Sequence, residues 1–183
     1  MTRLIGIGGR LRAGKDTVAD YLVERCGFTK LGMSDPLLEA ALVLDPILYE
    51  DNSRNTVRLS EIVDAVGYTE AKKEPEVRRF LQVLGTDFGR NMIGENVWVN
   101  IAARSIDGLR NQGHDVVITG IRFENELGMV NRLGGQSWWV DRDTDEPASD
   151  HASENGVAGW QFDTIINNNG SLDDLYAEVE RIL

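Results

Sequence analysis

Gly9, Gly14 and Lys15, in the run GRLRAGKDT, are spaced as GxxxxGK. In that arrangement bare backbone amides wrap phosphate oxygens and the lysine adds a mobile positive charge. Arg12 and Ala13 lie inside the run. A helix starting just after it would add unpaired amides and the positive end of its dipole to the same anion. One letter departs from the pattern. The Ser or Thr that usually follows the lysine, and whose hydroxyl binds magnesium, is Asp16 here, with Thr17 one place later. The competing reading is a glycine turn with a solvated lysine, but it leaves the further glycines at 6 and 8 unexplained.

Other side chains that could act on phosphate are arginines. Arg122 stands in GIRFENE, and Arg142 follows an apolar run ending at Asp141. Either could carry charge to a phosphoryl group, although a surface pair with Glu124 or Glu126 is an ordinary alternative for Arg122. Asp35 is the one carboxylate placed where it could act as a base, and a plain helix cap is an equal reading. His151 with Asp150 and Glu154 resembles a metal cluster. The chain has only two histidines, however, and His114 reads as part of a turn, too few ligands for a protein zinc site.

The elements that must hold these groups follow from the spacing. Leu4–Gly8 reads as a strand before the glycine loop, and Val18, Ala19, Tyr21, Leu22 and Val23 give helical spacing after it. A second short strand is expected at 28–31. Ser34, Asp35 and Pro36 signal a helix start, with Ser34 or Asp35 as cap and proline where its missing amide costs nothing. Residues 45–60 read as irregular, with a helix at 59–66 and a charged loop at 72–75. In EVRRFLQVLGTDFGRNMIGENVWVN, a helical wheel gathers Arg78, Gln82, Gly85 and Gly89 within about 60°, opposite Phe80, Val83, Leu84 and Phe88. Two glycines on that stripe suggest close approach by a ligand or another backbone; a helix ending near Gly85 is the alternative. Strands at 115–119, 136–141 and 164–166 alternate with helices, and a helix capped by Ser171 closes the chain. Such alternation predicts an α/β fold with a mainly parallel sheet and helices on both faces. In such sheets ligands collect at the carboxyl ends of the strands.

Composition bounds the function. The 183 residues suit one domain with inserted segments, and the hydrophobic and charged fractions of 42% and 27% are those of an ordinary globular protein. A net charge of -11 argues against general attraction to nucleic acid or to an anionic membrane. The chain has 15 Arg against 4 Lys, which suits phosphate handling and equally suits a GC-rich genome. Cys26 is the single cysteine, so no disulfide framework or cysteine-rich zinc site is expected. No signal peptide or membrane-length apolar run is read, so a cytoplasmic location is expected.

Together with SDPL, VRRFLQVLGTDFGRNMIGENVWVN, IRFENE, DHASE and DTIINNNGSLDDL, the glycine loop resembles the bacteriophage deoxynucleoside monophosphate kinases. The similarity covers nearly the whole chain. It implies a three-layer P-loop kinase fold with a mainly parallel five-stranded sheet, an acceptor-binding helical region at about 34–98 and a lid-like segment at about 143–160. It implies ATP on Gly9, Arg12, Ala13, Gly14, Lys15, Asp16 and Thr17, with Mg2+ near Asp16 or Thr17, and Asn167, Asn169 and Gly170 bordering the base. Ser34, Asp35, Arg78, Gln82, Thr86, Arg90 and Trp98 would line the acceptor's pocket, joined by His151 and Glu154 from the closing segment. Lys15, Arg122 and Arg142 would face the phosphoryl group in transit. The implied partners are the two small-molecule substrates, with no nucleic acid and no membrane; pairing into a homodimer stays open.

Two positions depart from the resemblance. Gly120 stands where an aspartate is usual, giving GIRF for DVRF, and Leu38 stands where a lysine is often found. The alternatives kept beside this reading are a P-loop kinase for another small acceptor, such as dephospho-coenzyme A, and a nucleotide-binding regulatory module without transfer activity.

Overall fold

The computed structural model describes residues 2–50, 52–143 and 157–183. The chain begins with β1 (Leu4–Gly9), α1 (Lys15–Cys26) and β2 (Thr29–Gly32). It continues through α2 (Asp35–Leu44), β3 (Ile47–Glu50), β4 (Thr56–Arg58), α3 (Leu59–Val66), α4 (Tyr68–Ala71) and α5 (Pro75–Gln82). A π-helix, Val83–Ile93, runs on directly from α5. Then come α6 (Val97–Asn111), β5 (Val116–Ile121), α7 (Glu124–Arg132), β6 (Gln136–Asp141), β7 (Thr164–Asn167) and α8 (Leu172–Ile182). Contacts divide the chain into two compact units, Met1–Met33 with Ala102–Leu183, and Ser34–Ile101.

The first unit is built on a five-stranded sheet in the order β2-β5-β1-β6-β7. Every pairing in it is parallel, so the expected mainly parallel sheet is wholly so. Side chains alternate between the faces of β1. Ile5 and Ile7 enter a core with Val18 and Leu22 of α1, Trp138 and Val140 of β6, and Leu175 and Val179 of α8. Gly6 and Gly8 face the other way. A Cβ on Gly6 would stand 2.6 Å from Val130 of α7, and one on Gly8 would stand 2.4 Å from Phe162. These two glycines, grouped with the phosphate loop on sequence grounds, therefore let a helix and an aromatic ring lie against the central strand.

Local chemistry fixes the ends of the helices. Gly27, at φ +72, ends α1 in the left-handed conformation. Ser171 accepts from the Asp174 amide, and the Asp174 carboxylate accepts from the Ser171 amide, which closes a capping box on α8.

The second unit packs Ala41, Leu59, Ala71, Val77, Leu81 and Leu84 into its own core. The irregular segment expected at 45–60 contains an antiparallel hairpin, β3 with β4. The Asn- and Ser-rich stretch between them supplies its turn, with Arg54 at φ +65. The hairpin ends against α3: Asp45 Oδ1 accepts from the Ser60 amide at 2.9 Å, and Pro46 O from the Leu59 amide at 3.1 Å. Hydrogen bonds from Ser60 hold the Asp45 carboxyl below the ordinary carboxylate range.

Candidate functional site

The loop between β1 and α1 is shaped by left-handed residues. Gly9 has φ +147, Arg12 +60 and Gly14 +101, while Ala13 between the last two keeps an ordinary negative φ. Alternation of this kind turns successive N–H groups toward one concave side, which is an anion nest. Glycine is required at two of these places. A Cβ on Gly9 would lie 2.6 Å from the Val140 carbonyl, and one on Gly14 2.4 Å from Asn168 Nδ2. Lys15 reaches across the loop, its ammonium donating to Gly9 O at 2.9 Å and Arg10 O at 2.6 Å. The cation is thus already held over the nest, on carbonyls that a phosphate oxygen can replace.

Parallel pairing brings other candidates to the same end of the sheet. Gly8 is paired with Ile121 and Gly9 with Val140, so Arg122 and Arg142 emerge from the strands on either side of the loop. Arg122 and Arg142 are both exposed at the surface of the first unit. The Arg122 backbone is fixed by Glu126, buried in α7, whose Oε2 accepts from the Arg122 and Phe123 amides at 2.7 and 3.1 Å. This gives the second glutamate of IRFENE a capping role. Asp141 is paired with Asn167, which brings the Asn167–Gly170 turn to the same edge. Asn167, Asn169 and Gly170 are exposed, Asn169 accepting from the Asp143 amide at 2.8 Å. Asn168 between them is buried and donates to Ala13 O inside the loop at 2.7 Å. The sequence placed the whole run 167–170 beside the base, because three consecutive asparagines give no sign of which one turns inward.

Asp16 and Thr17 form the first turn of α1. Asp16 is paired with Lys30 of β2 at 3.0 Å, and Lys30 also holds Asp20 one turn further along at 2.9 Å. Burial works against the Lys30 charge, but the hydrogen bonds its ammonium donates to Asp20 and Asp16 outweigh it and raise its pKa. A groove of about 440 Å³ lined by Tyr21, Arg25, Cys26, Tyr176 and Glu180 lies at the far end of α1 from the loop and takes no part in this site.

The second unit holds the remaining described candidates. Ser34 was expected to cap α2, yet its side chain makes no capping bond, and its backbone is already helical at φ -89. It instead hydrogen-bonds the Tyr68 hydroxyl. Burial raises the Tyr68 pKa; the Ser34 bond opposes that rise and the nearby Asp35 charge adds to it. Tyr68 is therefore a polar partner of Ser34 and Asp35 that no spacing in the sequence pointed to, since the contact joins elements more than 30 residues apart.

The stripe Arg78, Gln82, Gly85, Gly89 does not survive, because the α-helical period stops at Gln82. In the π-helix beyond it Gly85 and Gly89 are buried, and each makes room for a side chain. A Cβ would stand 3.0 Å from Leu37 Cδ2 at Gly85 and 2.6 Å from Trp98 Nε1 at Gly89. Trp98 is half-buried, with its indole N–H donating to Gly85 O at 2.9 Å. The close approach inferred from the glycines is real, but side chains of the protein make it. Four α-helical steps overshoot a full turn by about 40°, whereas four π-helical steps fall short by about 33°. Every fourth residue therefore drifts one way along α5 and back along the π-helix. That keeps exposed Arg78, Gln82 and Thr86, followed by half-buried Arg90, on one line. His151 and Glu154 lie outside the described residues, as does most of the 143–160 segment.

Residues 39–179 match the family model described as deoxynucleotide monophosphate kinase. The chain belongs to the deoxynucleotide monophosphate kinase family. The kinase of Escherichia phage RB69 is 32% identical over 58% of this chain and 44% of its own length. The Enterobacteria phage T4 kinase is 22% identical over 99% of this chain and 98% of its own. Among solved structures, dephospho-CoA kinase from Campylobacter jejuni superposes with a TM-score of 0.50 at 12% identity, covering 99% of this chain and 95% of that one. That likeness shows the P-loop kinase fold.

Gly120, at the position where the resemblance implies an aspartate, has a backbone reason for being glycine. Gly120 adopts φ +87 where the β1–β5 register slips and Gly8 pairs with Ile121. An L-residue there is strained, so this strand end is built for glycine. The kinase reaction also calls for a cation beside the nucleotide. Among the described residues no group of three or more His, Cys, Asp or Glu could hold a metal ion. Mg2+ needs none, since it keeps waters and phosphate oxygens as ligands and takes one or two hard oxygens from protein. The Asp16 carboxylate and the Thr17 hydroxyl are donors of that kind.

Proposed function

We propose that this kinase transfers the γ-phosphoryl group of ATP to a deoxynucleoside 5′-monophosphate, releasing ADP and the deoxynucleoside diphosphate, with Mg2+ held through the phosphates and by Asp16 or Thr17. The observation that carries the reading is the nest of Gly9–Gly14 with Lys15 lying over it, in a chain that matches the family over most of its length. The attacking oxygen belongs to a phosphate already ionised at neutral pH, so the reaction needs alignment and positive charge rather than a base. Lys15 supplies charge on the ATP side, and Arg122 and Arg142 are the groups proposed to follow the phosphoryl as it moves. Mg2+, when bound, neutralises charge on the β- and γ-phosphates.

Ser34, Asp35, Arg78, Gln82, Thr86, Arg90 and Trp98 are the proposed acceptor residues, and Tyr68 joins the proposal because it is the partner of Ser34. Within this set Arg78 and Arg90 are suited to the acceptor's phosphate, Gln82 and Thr86 to polar groups of the nucleoside. The cytoplasm, where both substrates occur, is the proposed place of action. No helix among the described residues is long and apolar enough to cross a membrane.

A coupled ADP-release assay over deoxynucleoside monophosphates, ribonucleoside monophosphates and dephospho-coenzyme A tests the proposal. Turnover with at least one deoxynucleoside monophosphate is expected. Turnover with dephospho-coenzyme A alone would overturn the acceptor class, and ATP binding without any acceptor-dependent turnover would favour a regulatory module.

A further inference from the structure

Asn168 is the residue at this end of the sheet that the reaction does not otherwise use. It is 8% exposed, and its amide donates from Nδ2 to Ala13 O at 2.7 Å. Its own backbone is fixed as well, because its N–H donates to Asp141 O at 2.7 Å, just beyond the β6–β7 pairing of Asp141 with Asn167. The contact is close-fitting: Gly14 can have no side chain because Nδ2 occupies the place a Cβ would take.

In a trans peptide the C=O and the following N–H point in opposite directions. No described peptide is cis. Holding Ala13 O on the Asn168 side therefore sends the Gly14 N–H to the other side. Among the described residues that N–H has no acceptor, although the neighbouring Ala13 amide is spent on Arg10 O. A donor kept unpaired and fixed in direction, in an anion nest, is prepared for a ligand oxygen.

We propose that Asn168 is a positioning residue for the nucleotide's phosphates: by anchoring Ala13 O it sets the Ala13–Gly14 peptide so that the Gly14 N–H points at a phosphate oxygen. This rests on the reading of the loop as the ATP cradle. It assigns Asn168 no contact with the base, in contrast to the role expected for Asn167 and Asn169. Losing the anchor leaves a buried carbonyl unsatisfied and lets the peptide rotate, so phosphate affinity falls while base recognition stays.

The test uses the full chain, calorimetric binding of inorganic tripolyphosphate and of ATP, and two variants. Asn168→Ala removes the amide, and Asn168→Leu keeps its branched shape without a donor or a charge. Both are expected to weaken tripolyphosphate and ATP by the same factor, about tenfold for one charge-assisted contact. In turnover, KM for ATP rises while KM for the acceptor is unchanged. Loss of ATP binding with tripolyphosphate unaffected would make Asn168 a base contact and overturn the proposal, as would wild-type affinity in Asn168→Leu. Should the variants not fold, the wild-type Gly14 amide resonance decides, since tripolyphosphate must shift it strongly and an unmoved resonance refutes the assignment. If the folded wild-type chain binds neither tripolyphosphate nor ATP, the cradle reading itself fails.

Discussion

Gly89→Ala sets two effects of known size against each other. In a regular helix alanine stabilises relative to glycine by about 1 kcal/mol. Here the new methyl would lie 2.6 Å from Trp98 Nε1 and 2.8 Å from Cε2 and Cζ2, well inside van der Waals contact. The indole cannot yield freely, because its N–H donates to Gly85 O at 2.9 Å on the same π-helix. Overpacking of this kind costs about 1–3 kcal/mol, and losing the bond to a buried carbonyl about 1 kcal/mol more. The clash should win, leaving a net loss of about 1–3 kcal/mol once the propensity gain is subtracted. Urea denaturation should show a lower midpoint at unchanged slope, and KM for the acceptor should rise with KM for ATP unaltered. In a Trp98→Ala background the same substitution should cost little, giving a large coupling energy. A Gly89→Ala chain as stable as wild type would refute the account of why glycine stands there.

Three further outcomes follow from the geometry. Lys15→Ala should lower kcat/KM about 100-fold or more in steady-state assays, with the fold intact by circular dichroism, since a preorganised charge on transferring phosphate is lost. Gly8→Ala should destabilise by about 1–3 kcal/mol in urea melts, because the methyl meets Phe162 Cζ at 2.4 Å. The pKa of Asp45 is lowered in the folded state, chiefly by the Ser60 amide, so its contribution is complete above the unfolded carboxylate pKa and lost as pH falls through the folded one. Asp45→Asn should accordingly flatten the acid limb of the stability curve below about pH 4, and an unchanged limb would contradict it.

The phosphate loop and the sheet could be read from the sequence because both rest on local rules. GxxxxGK sits between a short apolar strand and a 3.6-period helix, and α3, β6 and α8 announce themselves by spacing and caps. What could not be read depends on contacts far along the chain. Gly6 and Gly8 look like loop glycines until Val130 and Phe162 are seen against them. Ser34 has the type and place of a cap, but Tyr68 takes its hydroxyl. The wheel drawn through Arg78–Gly89 fails because a π-helix cannot be told from an α-helix by residue type, so the exposed line runs through Thr86 and not through the two glycines. Asn168 was hidden among its neighbours until its bond to Ala13 O singled it out.

The central claim is transfer of a phosphoryl group from ATP to a deoxynucleoside monophosphate. Incubation with γ-labelled ATP, Mg2+ and each of the deoxynucleoside monophosphates in turn, followed by separation of the nucleotides, tests it directly. The account predicts label in a deoxynucleoside diphosphate with the wild-type chain, formed about 100-fold or more slowly with Lys15→Ala. Label appearing only as free phosphate, at a rate indifferent to the acceptor, would contradict it.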